Sequence, residues 1–338
     1  MNATIKSVAR LAEVSTATVS RVINGTGVVA PETERRVQEA IKELRYTPNA
    51  IAQSLKQKKS KLIGMMASDM SVSFFVGILK TLEKALLESG YQIIIANTYD
   101  SPKMEGQLIQ LMAQGRCDIL LVNSTGGNEE LLAQVQSSGV RLLGYDRFPE
   151  NAIYPSVYLD KVRGTYLLLS HLYNLGHRRI CLITGDPNLS TNILRRRGIA
   201  QFLKEKNLPE NSIQIREKEF TTEYGQQVVE EMQAQAAPPT AYIAGSVAIA
   251  IGVVRYCEDH GLSIPGDISL ACFGNYLHAE LIKPSLLYID DEYWAVAQQL
   301  LEWIRIIDKG ADKIPNENVV LEPRLVPGDS CGPPPVRE

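Results

Sequence analysis

The chain has 338 residues, 45% of them hydrophobic and 22% charged, with a mean hydropathy of −0.08. That length exceeds one ordinary core and implies two or three domains, while the apolar stretches fall short of the roughly 18 residues a membrane helix needs. The net charge of −3 divides unevenly: residues 1–61 carry eleven Lys/Arg against five acids, a balance of +6 that leaves −9 for the rest.

A basic head on an acidic body fits a head that meets a polyanion, although a solvated surface gives the same balance. The N-terminal MNATIKSVAR has no apolar segment behind its charges, so it does not read as a secretory signal. Five scattered cysteines without a C-x-x-C pair argue against a disulfide frame or a zinc site and fit a reducing cytoplasm.

In chain order, Thr4 is placed to cap a first helix whose Ile5, Val8, Ala9 and Ala12 share one face. After a short turn at Glu13 and Val14, Ser15 caps a second helix with Val19, Val22 and Ile23 inward. Thr16, Ala17, Thr18, Ser20 and Arg21 then point away. Two such helices and so tight a turn form a helix-turn-helix, whose second helix enters the major groove. Small Thr16 and Ala17 can approach bases, Thr18 and Ser20 can reach phosphates, and Arg21 can fork onto a guanine edge. Pro31 opens a third helix with Val37, Ile41 and Leu44 inward. A three-helix protein-interaction module shares this pattern.

Residues 47–61 read as a short helical patch between a proline and a basic run. From Leu62 onward, continuous apolar runs at 62–67, 91–97, 118–123, 140–145, 156–160, 179–184, 240–245 and 268–273 alternate with amphipathic stretches. Runs without polar alternation indicate strands buried on both faces, hence parallel sheets covered by helices.

The segments TIKSVARLAEVSTATVSRVING and RVQEAIKELRYTPNAIAQSL together resemble the headpiece and hinge of the LacI/GalR family of repressors. The likeness continues more loosely through GHRRI (176–180), GDISL (266–270) and the SCG of the tail (330–332). It implies an α/β protein: an N-terminal all-α helix-turn-helix headpiece plus a two-lobed periplasmic-binding-protein-like core of two doubly wound parallel sheets. The expected boundaries are 1–47 for the headpiece, 48–61 for the hinge helix and linker, and 62–338 for the core. Lobe one takes about 62–160 and 290–319, and lobe two about 161–289 and 320–332.

Glu13 stands where most members have glycine, and Ala30 where a serine usually caps the third helix, at a cost of ~1 kcal/mol. In the family the hinge folds on the operator and a leucine from each subunit wedges into the minor groove; Leu55 matches it, with Ala52 on the same face. Eight residues make no stable isolated helix, so its formation can depend on DNA. Lys56, Lys58, Lys59 and Lys61 would add phosphate contacts. The expected DNA-binding set is Thr4, Ser15, Thr16, Ala17, Thr18, Ser20, Arg21, Asn24, Asn49, Ala52, Leu55 and Lys56.

In open α/β sheets, ligands sit beyond the carboxyl ends of strands. That rule selects 68–75, 146–147, 160–161, 185–195, 246–247 and 274–275. Within them the resemblance points to Phe74, to Asp160 at the crossing between lobes, and to Arg195 as an effector anchor. The candidate effector set is Ser73, Phe74, Arg147, Asp160, Lys161, Thr191, Arg195, Ser246 and Asn275. Many sugar-sensing members carry Asn-Asp where this chain has Ser246 and Val247, and aspartate where it has Gly274. The segments AGSVAIAIG and ACFGN are more like the fructose/sucrose branch. Cations retained where acids are missing favour an anionic effector, a sugar phosphate or sugar acid.

Four histidines without metal spacing and the absence of a G-x-S-x-G elbow or Walker loop argue against an enzyme. The dinucleotide-like 25–30 follows a helix and lacks its βαβ frame. No cofactor and no metal are implied. The reading is a cytoplasmic, nucleoid-associated bacterial repressor of a carbohydrate-utilisation operon. It is expected to bind pseudo-palindromic operator DNA and a sugar-like effector as a homodimer or tetramer. A transport protein would share the body without the head; an architectural DNA-binding protein would share the head without a ligand-sized crevice.

Overall fold

The computed structural model describes residues 3–24, 26–46, 60–115, 117–149, 151–274, 283–310 and 317–335. The chain divides into two compact units, Met1–Ser60 and Lys61–Glu338.

The first unit holds α1 (Ile5–Leu11), α2 (Thr16–Asn24) and α3 (Pro31–Glu43). Each contributes one fully buried valine, Val8, Val19 and Val37, to a small core completed by Ala9, Ala12 and Ala40. Thr4 caps α1 through a reciprocal pair: its Oγ1 accepts from Ser7 N at 3.2 Å and Ser7 Oγ accepts from Thr4 N at 2.8 Å. Glu13 takes the left-handed conformation with φ of 53°, costing a residue with a side chain ~1 kcal/mol. Ala30 supplies no side-chain cap to α3, and Pro31 begins it.

The second unit has two six-stranded sheets. The first lobe runs β1 (Leu62–Ala67), α4 (Ser73–Leu86), β2 (Gln92–Asn97), α5 (Pro102–Gln114), β3 (Ile119–Val122), α6 (Glu129–Ser137), β4 (Arg141–Tyr145) and β5 (Ser156–Leu159). The second runs α7 (Lys161–Asn174), β6 (Ile180–Thr184), α8 (Ser190–Glu205), β7 (Ile213–Glu217), α9 (Thr222–Gln233), β8 (Ala241–Ala244), α10 (Val247–Asp259), β9 (Ser269–Phe273) and β10 (Leu287–Ile289). Then α11 (Tyr293–Asp308) and β11 (Val319–Leu321) return to the first lobe, and β12 (Leu325–Val326) joins the second.

The strand orders are β11-β5-β4-β3-β1-β2 and β12-β10-β9-β8-β6-β7, with every pairing parallel except β10 with β12. The continuous apolar runs face both ways. Ile63, Met65 and Ala67 enter one core of the first lobe while Met66 enters the other; Cys181 and Ile183 oppose Ile180 and Leu182 in the second. The chain crosses between lobes at Asp160, at 290–292 and at 322–324. The last crossing falls just after Leu321, two residues past the boundary at 319, because β11 pairs along β5 through Leu159.

Candidate functional site

In the three-helix unit, α2 presents Thr16, Ala17 and Arg21 exposed, while Thr18 and Ser20 are half-buried. The first-turn hydroxyls already serve the helix: Ser15 Oγ accepts from Thr18 N at 3.1 Å and lies 3.0 Å from Thr18 Oγ1. Thr4 does the same for α1, so both caps fix where the helices begin and keep an O–H for an outside acceptor. Acids occupy α3 instead, where Arg35 pairs with Glu32 at 2.8 Å and Glu39 at 3.0 Å. The face of α2 carries no acidic residue. Asn24 ends that helix. Asn49, Ala52, Leu55 and Lys56 lie outside the described residues. Lys61, expected among the phosphate contacts, belongs to the core: its Nζ meets Asp308 Oδ1 at 2.5 Å and stands 4.3 Å from the Tyr91 ring centre.

In the core, a cavity of about 700 Å³ opens between the carboxyl ends of the two sheets. It brings together Ser73, Phe74, Arg147, Lys161, Thr191, Arg195 and Ser246 of the candidate set. Asn275 lies outside the described residues. Asp160 does not line the cavity. Its carboxylate accepts from Arg163 N at 2.9 Å, capping α7, so a short side chain at a helix start has been spent on the backbone.

The centre of the site is a buried ionic cluster shared by both lobes. Asp146, at the end of β4 with φ of 58°, receives Lys161 Nζ from the start of α7 at 3.2 Å and Asn123 Nδ2 at 3.3 Å. Burial works to raise its pKa, but the charges of Lys161, Arg147 and Arg195 outweigh that and hold the carboxyl below its usual range. Arg147 Nη1 is bound by Asp100. Arg195 Nη1 donates to Thr184 Oγ1 at 2.8 Å and Asn192 Oδ1 at 2.9 Å, and Nη2 to the Gly245 carbonyl at 2.8 Å. Its guanidinium lies 4.2 Å from the Phe273 ring centre, and burial pushes its pKa down to about 10.

Several buried polar atoms around this cluster have no hydrogen-bond partner among the described residues: Arg147 Nε, Arg195 Nε and Thr191 Oγ1. A buried donor left unpaired costs about 1–3 kcal/mol, so these atoms suit a ligand that brings acceptors. Phe74, Phe220 and Phe273 add aromatic wall.

The expected shortage of acids is overturned. Asp69, Asp100, Asp146, Asp186, Glu219 and Asp291 line the cavity with Arg147, Lys161, Arg195 and Lys218, so described carboxylates outnumber described cations. Phe220, Glu219 and Asp291 were missed because β7 and β10, whose ends carry them, do not read as apolar runs. Asp100 follows β2, a run that is plain in the sequence, and applying the strand-end rule there would have found it.

His177, between α7 and β6, is fully buried. Its neutral ring accepts at Nδ1 from Thr240 Oγ1 at 2.8 Å and donates from Nε2 to the Gly332 carbonyl at 2.9 Å, tying the tail to the second lobe. Among the described residues no group of His, Cys, Asp and Glu could hold a metal ion, and no helix is long and apolar enough to cross a membrane.

Among known proteins, residues 4–49 match the family described as bacterial regulatory proteins, lacI family, and residues 169–331 match a periplasmic binding protein-like domain. The HTH-type transcriptional repressor PurR of Klebsiella pneumoniae (strain 342) is 32% identical over 330 residues, spanning 96% of this chain and 95% of its own. The lac repressor dimer bound to operator and the anti-inducer ONPF has a TM-score of 0.81 at 24% identity, covering 98% of this chain and 100% of that one. The Cra transcriptional dual regulator from Pseudomonas putida in complex with fructose 1-phosphate has a TM-score of 0.70 at 23% identity, covering 79% and 98%.

Proposed function

From its membership of the LacI family of bacterial regulatory proteins, we propose that this chain is a homodimeric repressor of a carbohydrate-utilisation operon whose operator affinity is set by an uncharged, polyhydroxylated sugar. Membership places it among transcriptional regulators rather than enzymes. The observation that carries the effector reading is the lining of the cavity. Buried guanidinium N–H groups without hydrogen-bond partners among the described residues stand beside carboxylates drawn from both lobes, with phenyl rings as wall. Sugars present alternating hydroxyl donors and acceptors on a compact body that also stacks on aromatic faces. The excess of carboxylates over cations in the described lining disfavours an added negative charge, so the anionic preference is withdrawn.

Control follows from which groups meet. Asp146 and Arg147 belong to the first lobe and Lys161, Thr191 and Arg195 to the second, so a ligand that satisfies both sets favours one lobe angle over another. Two subunits would present two α2 helices to a pseudo-palindromic operator, with Asn49, Ala52, Leu55 and Lys56 in the hinge between reader and sensor.

Isothermal titration of the full chain with D-fructose, fructose 1-phosphate and adenine tests this. Binding of the neutral sugar in preference to its phosphate supports the reading; tighter binding of fructose 1-phosphate overturns it. Phe74 and Phe220, contributed by different lobes, favour a planar heterocycle as the second reading, which preferential binding of adenine would select.

A further inference from the structure

Position 274 carries no side chain, yet the space beside it is filled. Gly274 has φ of 83°, and a Cβ placed there would stand 2.6 Å from Asp291 Oδ2. Asp291 comes from the crossing at 290–292 and lines the cavity. Its neighbours on that crossing are both gripped by Arg324 from the next one. Arg324 Nε meets Glu292 Oε1 at 3.2 Å, and Nη2 binds Asp290. Asp291 makes no such pair among the described residues. Lys161, Arg195, Asp146 and Asp290 are the charged groups around it, and the Cys272 thiol also faces it. Asp291 is half-buried on the cavity wall, and a partly desolvated carboxylate without a cation pair makes sense when a ligand supplies a donor.

We propose that Asp291, whose carboxylate fills the space beside Gly274, selects the effector by accepting a hydrogen bond from a sugar hydroxyl. A Cβ at 274 would stand against the Asp291 carboxylate, and its φ of 83° strains any side chain there, so this chain supplies the carboxylate from 291. Because 291 stands on a crossing between lobes, the contact acts directly on the segment that sets their angle. This inference rests on the sugar reading above and adds the residue that discriminates hydroxyl donors. Burial raises the Asp291 pKa to about 6, outweighing the attraction of Lys161 and Arg195. The carboxyl therefore stabilises the folded, ligand-free core at low pH and loses that contribution as pH rises through about 6.

One variant of the full chain decides it: Asp291→Asn. With D-fructose as probe at pH 7.5, it should bind about 10- to 100-fold more weakly. Undiminished binding by Asp291→Asn overturns the proposal. Failure of the wild-type chain to bind any of the three probes counts against the sugar reading instead. Thermal melting of the ligand-free protein separately tests whether Asp291 is an unpaired carboxyl on the cavity wall. Asp291→Asn should melt above wild type at pH 7.5, with the gap narrowing toward pH 4.5. A gap independent of pH overturns it.

Discussion

In the three-helix unit the side chains suited to recognition stand exposed on one helix, and the core beneath them is six small residues drawn from three helices. In the two-lobed unit the corresponding groups are buried or half-buried and gathered from segments far apart in the chain: half-buried Asp100 and Asp146 with buried Arg147 from one lobe, buried Lys161 and Arg195 from the other. Reading and folding are therefore separable in the first unit. Arg21 can be changed without disturbing Val8, Val19 and Val37. In the second they are the same bonds, since Arg195 both lines the cavity and satisfies Thr184, Asn192 and Gly245.

The sharpest way to break that contrast is Arg195→Ala. It strips donors from three buried acceptors and should cost the core about 3 kcal/mol in urea denaturation while abolishing effector binding. Stability close to wild type would mean the guanidinium is held for the ligand alone. Next, Val37→Ala should destabilise the three-helix unit by about 2 kcal/mol through the cavity it leaves, read as early loss of helical signal on heating. Arg21→Ala should weaken operator binding about 10- to 100-fold and leave the melting curve unchanged. A loss of stability there would show that reading and folding are coupled in the first unit as well. Ala30→Ser restores the missing cap on α3 and should add about 1 kcal/mol. The smallest expected effect is on the tail. Burial holds the His177 imidazole below its ordinary 6.5, so the unfolded chain takes up the proton first. The His177 contribution to core stability should be full above pH 6.5 and be lost as pH falls below it, read as a shallower decline on acidification in His177→Gln than in wild type.

The same contrast explains what was legible beforehand. The three helices could be read closely because each carries its own apolar face and start signal, Thr4, Ser15 and Pro31. Eight strands stood out, seven of them because a strand buried on both faces reads as an unbroken apolar run and the eighth, edge strand β2, through its three consecutive isoleucines although Ile94 is exposed. β7 is an edge strand with the half-buried sequence IQIRE, and β10, β11 and β12 hold three, three and two residues, too short for any pattern. The site residues that follow β7 and β10 went with them. Phe220 and Asp291 are invisible until the strands before them are known. Asp160 shows the reverse error: its position at a crossing was right, and only the geometry reveals that its carboxylate is occupied by the backbone of α7. The carboxylate sought at 274 was present all along, reached from 291 by a chain path that no local pattern encodes.

The most direct measurement is binding of the full chain to operator DNA selected from a random pool, followed by fluorescence anisotropy with and without saturating D-fructose. Linkage requires that the sugar change operator affinity by the same factor by which operator changes sugar affinity, about 5- to 150-fold. An operator affinity untouched by sugar that demonstrably occupies the cavity contradicts control of the reader by the sensor.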